Sequence, residues 1–187
     1  MATRAASHDA RRVAELLGRE PEGTFEVVVR DASGEPVVLR NDPLMFNGRP
    51  MPTLYWLAGK DALRRVSRLE AAGGVRAAEA AIPAAELAAA HARYAAERDS
   101  AIPQGHAGPR PSGGVAGTRT GVKCLHAHYA YHLAGGDDPV GRWVAAKLAE
   151  AADDPGAIND SAINDSAIDD GAINDSAIND QGEQAPA

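Results

Sequence analysis

The run Gly135-Gly136-Asp137-Asp138-Pro139 leaves this chain little choice of local structure. Paired glycines supply the left-handed cap that ends a helix. An aspartate before a proline is an N-cap followed by a residue shaped for the first helical position. One helix must therefore stop before this run and another start after it. Upstream, no residue from Val122 to about Ala134 breaks a helix, and Val122, Leu125, Tyr129 and Leu133 form one apolar stripe at helical spacing. Downstream, a closing helix is expected over 139–152. Before both, Gly113, Gly114, Gly117 and Gly121 make 111–121 a loop.

The same stretch concentrates the unusual chemistry. Cys124 is the one cysteine, and His126, His128 and His132 lie within eight residues of it. On a helix starting at Val122, Cys124, His128 and His132 fall at i, i+4, i+8 and share a ridge, with His126 on the far flank of the stripe. Imidazoles and a thiolate suit zinc or another divalent transition metal, so Cys124, His128 and His132 are candidate ligands. Cys124, His128 and His126 are also candidates for covalent catalysis, a thiol with a neighbouring base, a reading that ranks below the metal one. A third reading places an anionic, phosphate-bearing ligand on the free amides of the glycine loop and helix start. Lys123, Gly117, Thr118 and Gly121 would then bind it, with Arg110 and Arg119 nearby. Arg49, Arg68, Glu70 and Asp137 are further candidates. Against all three stands a packing role, a small buried cysteine and half-buried histidines. The Cys-x-His-x-His spacing matches no familiar zinc signature.

The rest of the chain reads as a small mixed domain. Ser7 to Gly18 is a short amphipathic helix. TFEVVVR (24–30) and PVVLR (36–40) are β-rich runs around a turn and form a hairpin. Residues 41–52 read as a loop, with turn signals at Asp42-Pro43 and Asn47-Gly48. TLYWLA (53–58) is a buried third strand, with Tyr55 and Trp56 anchoring a core otherwise built from Ala, Leu and Val, because aromatics are only 4% of the chain. Helices are expected over 61–72, stopped by Gly73-Gly74, and over 83–99. On the latter, His91, Tyr94 and Arg98 share a side and can wall the cysteine–histidine ridge. Residues 101–121 form a long loop of the kind that is usually functional or disordered. The fold class is thus α+β: an antiparallel sheet of about three strands covered by four or five helices, in one domain over 8–152.

Net charge narrows the partners. The formal value of −7 belongs to the end of the chain: residues 151–187 hold nine acids and no Lys or Arg, leaving 17 acids against 19 bases before them. No basic field favours nucleic acid. No apolar run approaches the ~18 residues of a membrane span and the N-terminal stretch has no apolar core segment, so the expectation is a cytoplasmic protein without membrane insertion. From Ala157 the chain repeats AINDS. Isolated isoleucines among Asn, Asp and Ser bury too little surface to order the segment, so 153–187 is expected to be a disordered acidic tail.

At NGRPMPTLYWL, VSRLEAAGGVR, AHARYAAERD and GPRPSGGVAGTRTGVKCLHAHYAYHLAGGDDPVGRWV the chain resembles domain-of-unknown-function family 501, common in actinobacteria, from about Arg12 to Val144. The resemblance implies no defined activity. Genes of the family often adjoin those for enolase, a septum-formation initiator and an exopolyphosphatase-type enzyme, which points toward cell-division or envelope physiology and a protein partner there. Relatives carry a phenylalanine and a cysteine-containing turn where this chain reads PMPTLYWLAG, so a ligand from that turn is lost. Two expectations follow. One is an enzyme or ligand-binding protein working at the 113–132 junction. The other is a noncatalytic interaction protein whose Gly/Pro loop docks a partner.

Overall fold

The computed structural model describes residues 5–153. In chain order the elements are α1 (Ala5–Leu17), β1 (Gly23–Arg30), β2 (Pro36–Met45), β3 (Tyr55–Leu57), α2 (Lys60–Ala71), α3 (Gly74–Ala81), α4 (Ala84–Ser100), a short 3-10 turn (Val115–Gly117), α5 (Leu125–Leu133) and α6 (Pro139–Asp153). The three strands form one antiparallel sheet in the order β1-β2-β3. The fold is α+β, as the sequence implies.

The sheet buries both faces at its β2–β3 side. Val38 pairs with Leu57 and Leu39 with Trp56, and successive side chains point to opposite faces. Val38, Leu57, Leu54 and Tyr55 join the main core with Leu125, Ala127, Ala130 and Tyr131 of α5, Val140, Val144 and Leu148 of α6, and Leu87 and Tyr94 of α4. Leu39 and Trp56 face the other way and close a smaller core under Val13 of α1 with Met45, Met51 and Ala58. Tyr94 ties the layers together: its hydroxyl accepts the amides of Leu54 at 2.6 Å and Tyr55 at 3.2 Å. Tyr55 and Trp56 are buried anchors, as expected.

Four boundaries differ from the sequence reading. β2 runs on through 41–45, expected as loop, because β1 keeps pairing with it. Gly23↔Met45 and Phe25↔Asn41 set two steps of β1 against four of β2, and this bulge accommodates Pro43, a residue sheets tolerate at such places. β3 is shorter than expected, 55–57 instead of 53–58. Gly73, at φ +87, does stop α2, but Gly74 opens α3 at once, so the described residues form six helices where four or five were expected. The alanine-rich GVRAAEAA has the propensity to continue as a helix. Finally, α5 starts at Leu125 and not at Val122. The expected acidic repeat tail lies outside the described residues.

The 111–121 loop is held from α4. Arg98 is 1% exposed, and its guanidinium donates to the carbonyl of Gly113 at 2.9 Å, to Asp99 at 2.8 Å, and at 3.4 Å to the carbonyls of Pro52, Pro111 and Ser112. His91, one turn before Tyr94, accepts the Val115 amide at Nδ1 (3.1 Å) and donates from Nε2 to the Gly121 carbonyl (3.0 Å). The loop passes so close that a Cβ at Gly114 would run into the His91 side chain.

A candidate metal centre at the start of helix α5

The late start of α5 decides where the cysteine and the histidines go. Cys124 is the N-cap, with φ −154 and ψ 147, so it is extended and does not share the helical ridge of His128 and His132. The first amide of the helix and the chain just before it are held from elsewhere in the fold. Glu70 of α2 accepts the Leu125 amide and Glu79 of α3 accepts the Val122 amide at 2.7 Å.

Glu70 thereby stands beside both Cys124 and His126. One ligand atom from each of the three lies within 4.8 Å of the other two, and among the described residues this is the group of three or more that meets that condition. Glu70 Oε1 is 3.2 Å from His126 Nδ1, and the two side chains are 24% and 20% exposed, within reach of solvent. His126 Nε2 lies 3.1 Å from the hydroxyl of Ser67, one turn before Glu70 on α2. Burial disfavours the charged ring, yet hydrogen bonds to Cys124 and Glu70 outweigh it, and the pKa of His126 is pushed up to about 9. Burial likewise works to raise the Glu70 pKa, but His126 and the amides of Leu125 and His126 hold it below the usual carboxylate value. The cluster is a pocket of negative character that favours a positive charge at its centre.

The expected trio of Cys124, His128 and His132 is not brought together. Positions 126 and 128 are about 200° apart on a helix, and His128 faces the interior. It is fully buried, its Nδ1 2.7 Å from Asp138 Oδ2, itself 0% exposed. Asp138 is the α6 N-cap foreseen from the Asp-Pro pair, its other oxygen accepting the Gly141 amide at 2.7 Å. Among the described residues His128 Nε2 has no hydrogen-bond partner, and the His91 ring lies 5.6 Å away, centroid to centroid. His91 itself is buried, and that burial lowers its pKa. His132 sits half-buried a turn further on.

Four amides of the glycine loop are spent inside the protein. Gly114 donates to Thr118, Gly117 to Gly114, Thr118 to Val115, and Val115 to His91. Gly121 gives its carbonyl to His91, and Thr118 its hydroxyl to Thr120. Gly117, Thr118 and Gly121 thus build the loop's own closure. Lys123 is exposed and Arg68 half-buried on α2. Arg49 lies exposed in the turn after β2. Asp137 pairs with Arg93 at 2.9 Å and with Arg142.

The sequence offers Glu70 as a further candidate, but neither Ser67 nor Glu79. A faint signal existed, since Ser67 and Glu70 are i, i+3 on one helix face. Nothing in the sequence says that this face meets Cys124.

These positions fall inside a shared family pattern. The model of the family described as protein of unknown function (DUF501) matches residues 27–146. The chain belongs to that family. The matched segment runs from within β1 into α6 and carries Ser67, Glu70, Cys124, His126, His128 and Asp138. No curated protein and no solved structure matches the chain. Among the described residues no helix is long and apolar enough to cross a membrane.

Proposed function

We propose that Glu70, Cys124 and His126 hold a divalent transition metal ion, zinc by the chemistry of the donors, with one coordination position left for a small polar ligand. One observation carries the reading: a thiol, an imidazole and a carboxylate converge within 4.8 Å on a frame fixed by two helices. Bonds of about 2.0–2.1 Å at tetrahedral angles put a nitrogen and an oxygen ligand about 3.3 Å apart, and the observed separation is 3.2 Å. Three protein ligands and one open position characterise catalytic rather than structural zinc. A bound ion there would polarise a carbonyl or activate a water. The chain's own contribution is positioning: α2 presents Glu70, and the Leu125 amide holds its carboxylate toward Cys124 and His126.

The direct test is elemental mass spectrometry on tag-free protein after dialysis against zinc, beside Cys124→Ser and His126→Ala. We expect near-stoichiometric zinc in the wild type and less than a tenth of it in either variant. A metal-free wild type would sink the reading. The hydrogen bond between Cys124 and His126 favours a second reading in that event, a thiol–imidazole pair acting without metal. Alkylation of Cys124 by iodoacetamide would then slow at least tenfold in His126→Ala, and an unchanged rate would remove that reading too.

A further inference from the structure

A metal-binding imidazole works only if the right nitrogen is free. His126 presents Nδ1 to Glu70 at 3.2 Å and Nε2 to Ser67 Oγ at 3.1 Å. The side facing the carboxylate is the side on which an ion would sit. The other nitrogen must then carry the proton and donate it, and the acceptor in place is the Ser67 hydroxyl. Ligating histidines are regularly oriented this way, through the ring nitrogen that does not touch the metal.

Resting on the metal reading above, we infer that Ser67 is the positioning residue of the centre. By accepting the Nε2 proton it fixes the His126 tautomer and ring plane so that the Nδ1 lone pair points at the space shared with Glu70 and Cys124. Ser67 and Glu70 sit one turn apart on α2, so the same helix supplies one ligand and the support of another. Metal binding then requires α2 and α5 in register, which makes the centre a clamp between the helix that carries Glu70 and the loop-to-helix junction that carries Cys124.

The experiment uses the full chain in wild-type, Ser67→Ala and Ser67→Thr forms. Zinc affinity is read by competition with a chromogenic chelator. The electronic spectrum of the cobalt(II) form reports ligand geometry directly, and thermal unfolding of the metal-free proteins is the control. Loss of an outer hydrogen bond of this kind weakens metal binding by roughly ten- to a hundredfold. We expect Ser67→Ala to fall in that range and to shift the cobalt ligand-field bands, Ser67→Thr to stay within about threefold of wild type, and all three metal-free proteins to unfold at nearly the same temperature.

The outcomes separate the two claims. If the wild type binds neither zinc nor cobalt, the metal reading fails and this inference falls with it. If the wild type binds and Ser67→Ala binds equally well with an unchanged cobalt spectrum, the centre stands and Ser67 has no part in it. If threonine weakens binding as much as alanine, or the metal-free alanine protein is itself destabilised, Ser67 acts through packing and the positioning role is overturned.

Discussion

His126 and His128 stand two residues apart on α5, on opposite sides of its axis, and the fold gives them opposite tasks. His126 is part-exposed, with Glu70, Cys124 and Ser67 around it. His128 is sealed, with Asp138 as its polar partner and the His91 ring beside it. The buried pair is bound up with architecture, because Asp138 is also the cap of α6. The part-exposed cluster carries little architecture beyond the Glu70 cap on α5. A histidine's chemistry here follows from which way α5 turns it, and mutations on the two sides should cost different things.

The largest effect is expected on the sealed side. Asp138→Ala removes the acceptor of a fully buried imidazole and the N-cap of a fifteen-residue helix together. Leaving a buried donor without its acceptor typically costs about 1–3 kcal/mol, and losing a cap adds about 1 kcal/mol to it. Urea unfolding should show the unfolding free energy falling by that amount, as a lower midpoint with little change in slope. A loss under about 1 kcal/mol would mean that water already reaches the pair, and the contrast between the two sides would collapse.

A smaller effect comes from His91, which stands between the sealed pair and the glycine loop. It accepts the Val115 amide at Nδ1 and donates from Nε2, so the folded state needs the ring neutral. Burial lowers its pKa, while the Gly121 carbonyl and Asp138 oppose that shift and His128 adds to it. Arg98 and Asp99 on α4 and Arg119 on the loop line the same cleft as His91, and Glu79 of α3 approaches Gly121, whose carbonyl His91 bonds. The folded protein therefore binds this proton less readily than the unfolded chain, and stability falls as pH drops below the unfolded value of about 6.5. One proton limits the slope to about 1.4 kcal/mol per pH unit. The difference in melting temperature between wild type and His91→Gln, followed from pH 7 to 5, isolates this contribution. A difference that does not change with pH would show that His91 is free to take up the proton within the fold.

The sequence reveals the parts whose causes are local. The alternation in TFEVVVR and PVVLR, the Gly-Gly stop and the Asp-Pro start are written in short stretches, and the sheet and α6 follow from them. The histidine arrangement is not local. Spacing put Cys124, His128 and His132 on one ridge because nothing in 122–124 forbids a helix. What forbids it is Glu70 and Glu79, carboxylates some fifty and forty residues upstream that take the Leu125 and Val122 amides and leave Cys124 extended. The sequence marks the 113–132 junction as a candidate site and offers Cys124, His126 and Glu70 separately, but that Glu70 stands beside the other two is not legible there, because α2 reaches the junction only through the packing of the folded chain.

The smallest expected effect sharpens the comparison most. His126→Ala removes a side chain that remains within reach of water, so its partners can be rehydrated where those of His128 cannot. Exposed and half-exposed ion pairs contribute about 0–1 kcal/mol. Glu70 keeps its bond to the Leu125 amide in the variant, so the α5 cap survives. Compared as metal-free proteins, which keeps the stabilisation by a bound ion out of the balance, wild type and His126→Ala should differ by less than about 1 kcal/mol in urea unfolding. A protein that folds as before yet no longer retains zinc would show that the residue is kept for chemistry. A loss approaching that of Asp138→Ala would instead make His126 a second structural histidine, held by Glu70 as His128 is held by Asp138, and would leave the thiol of Cys124 as the sole reactive group at the start of α5.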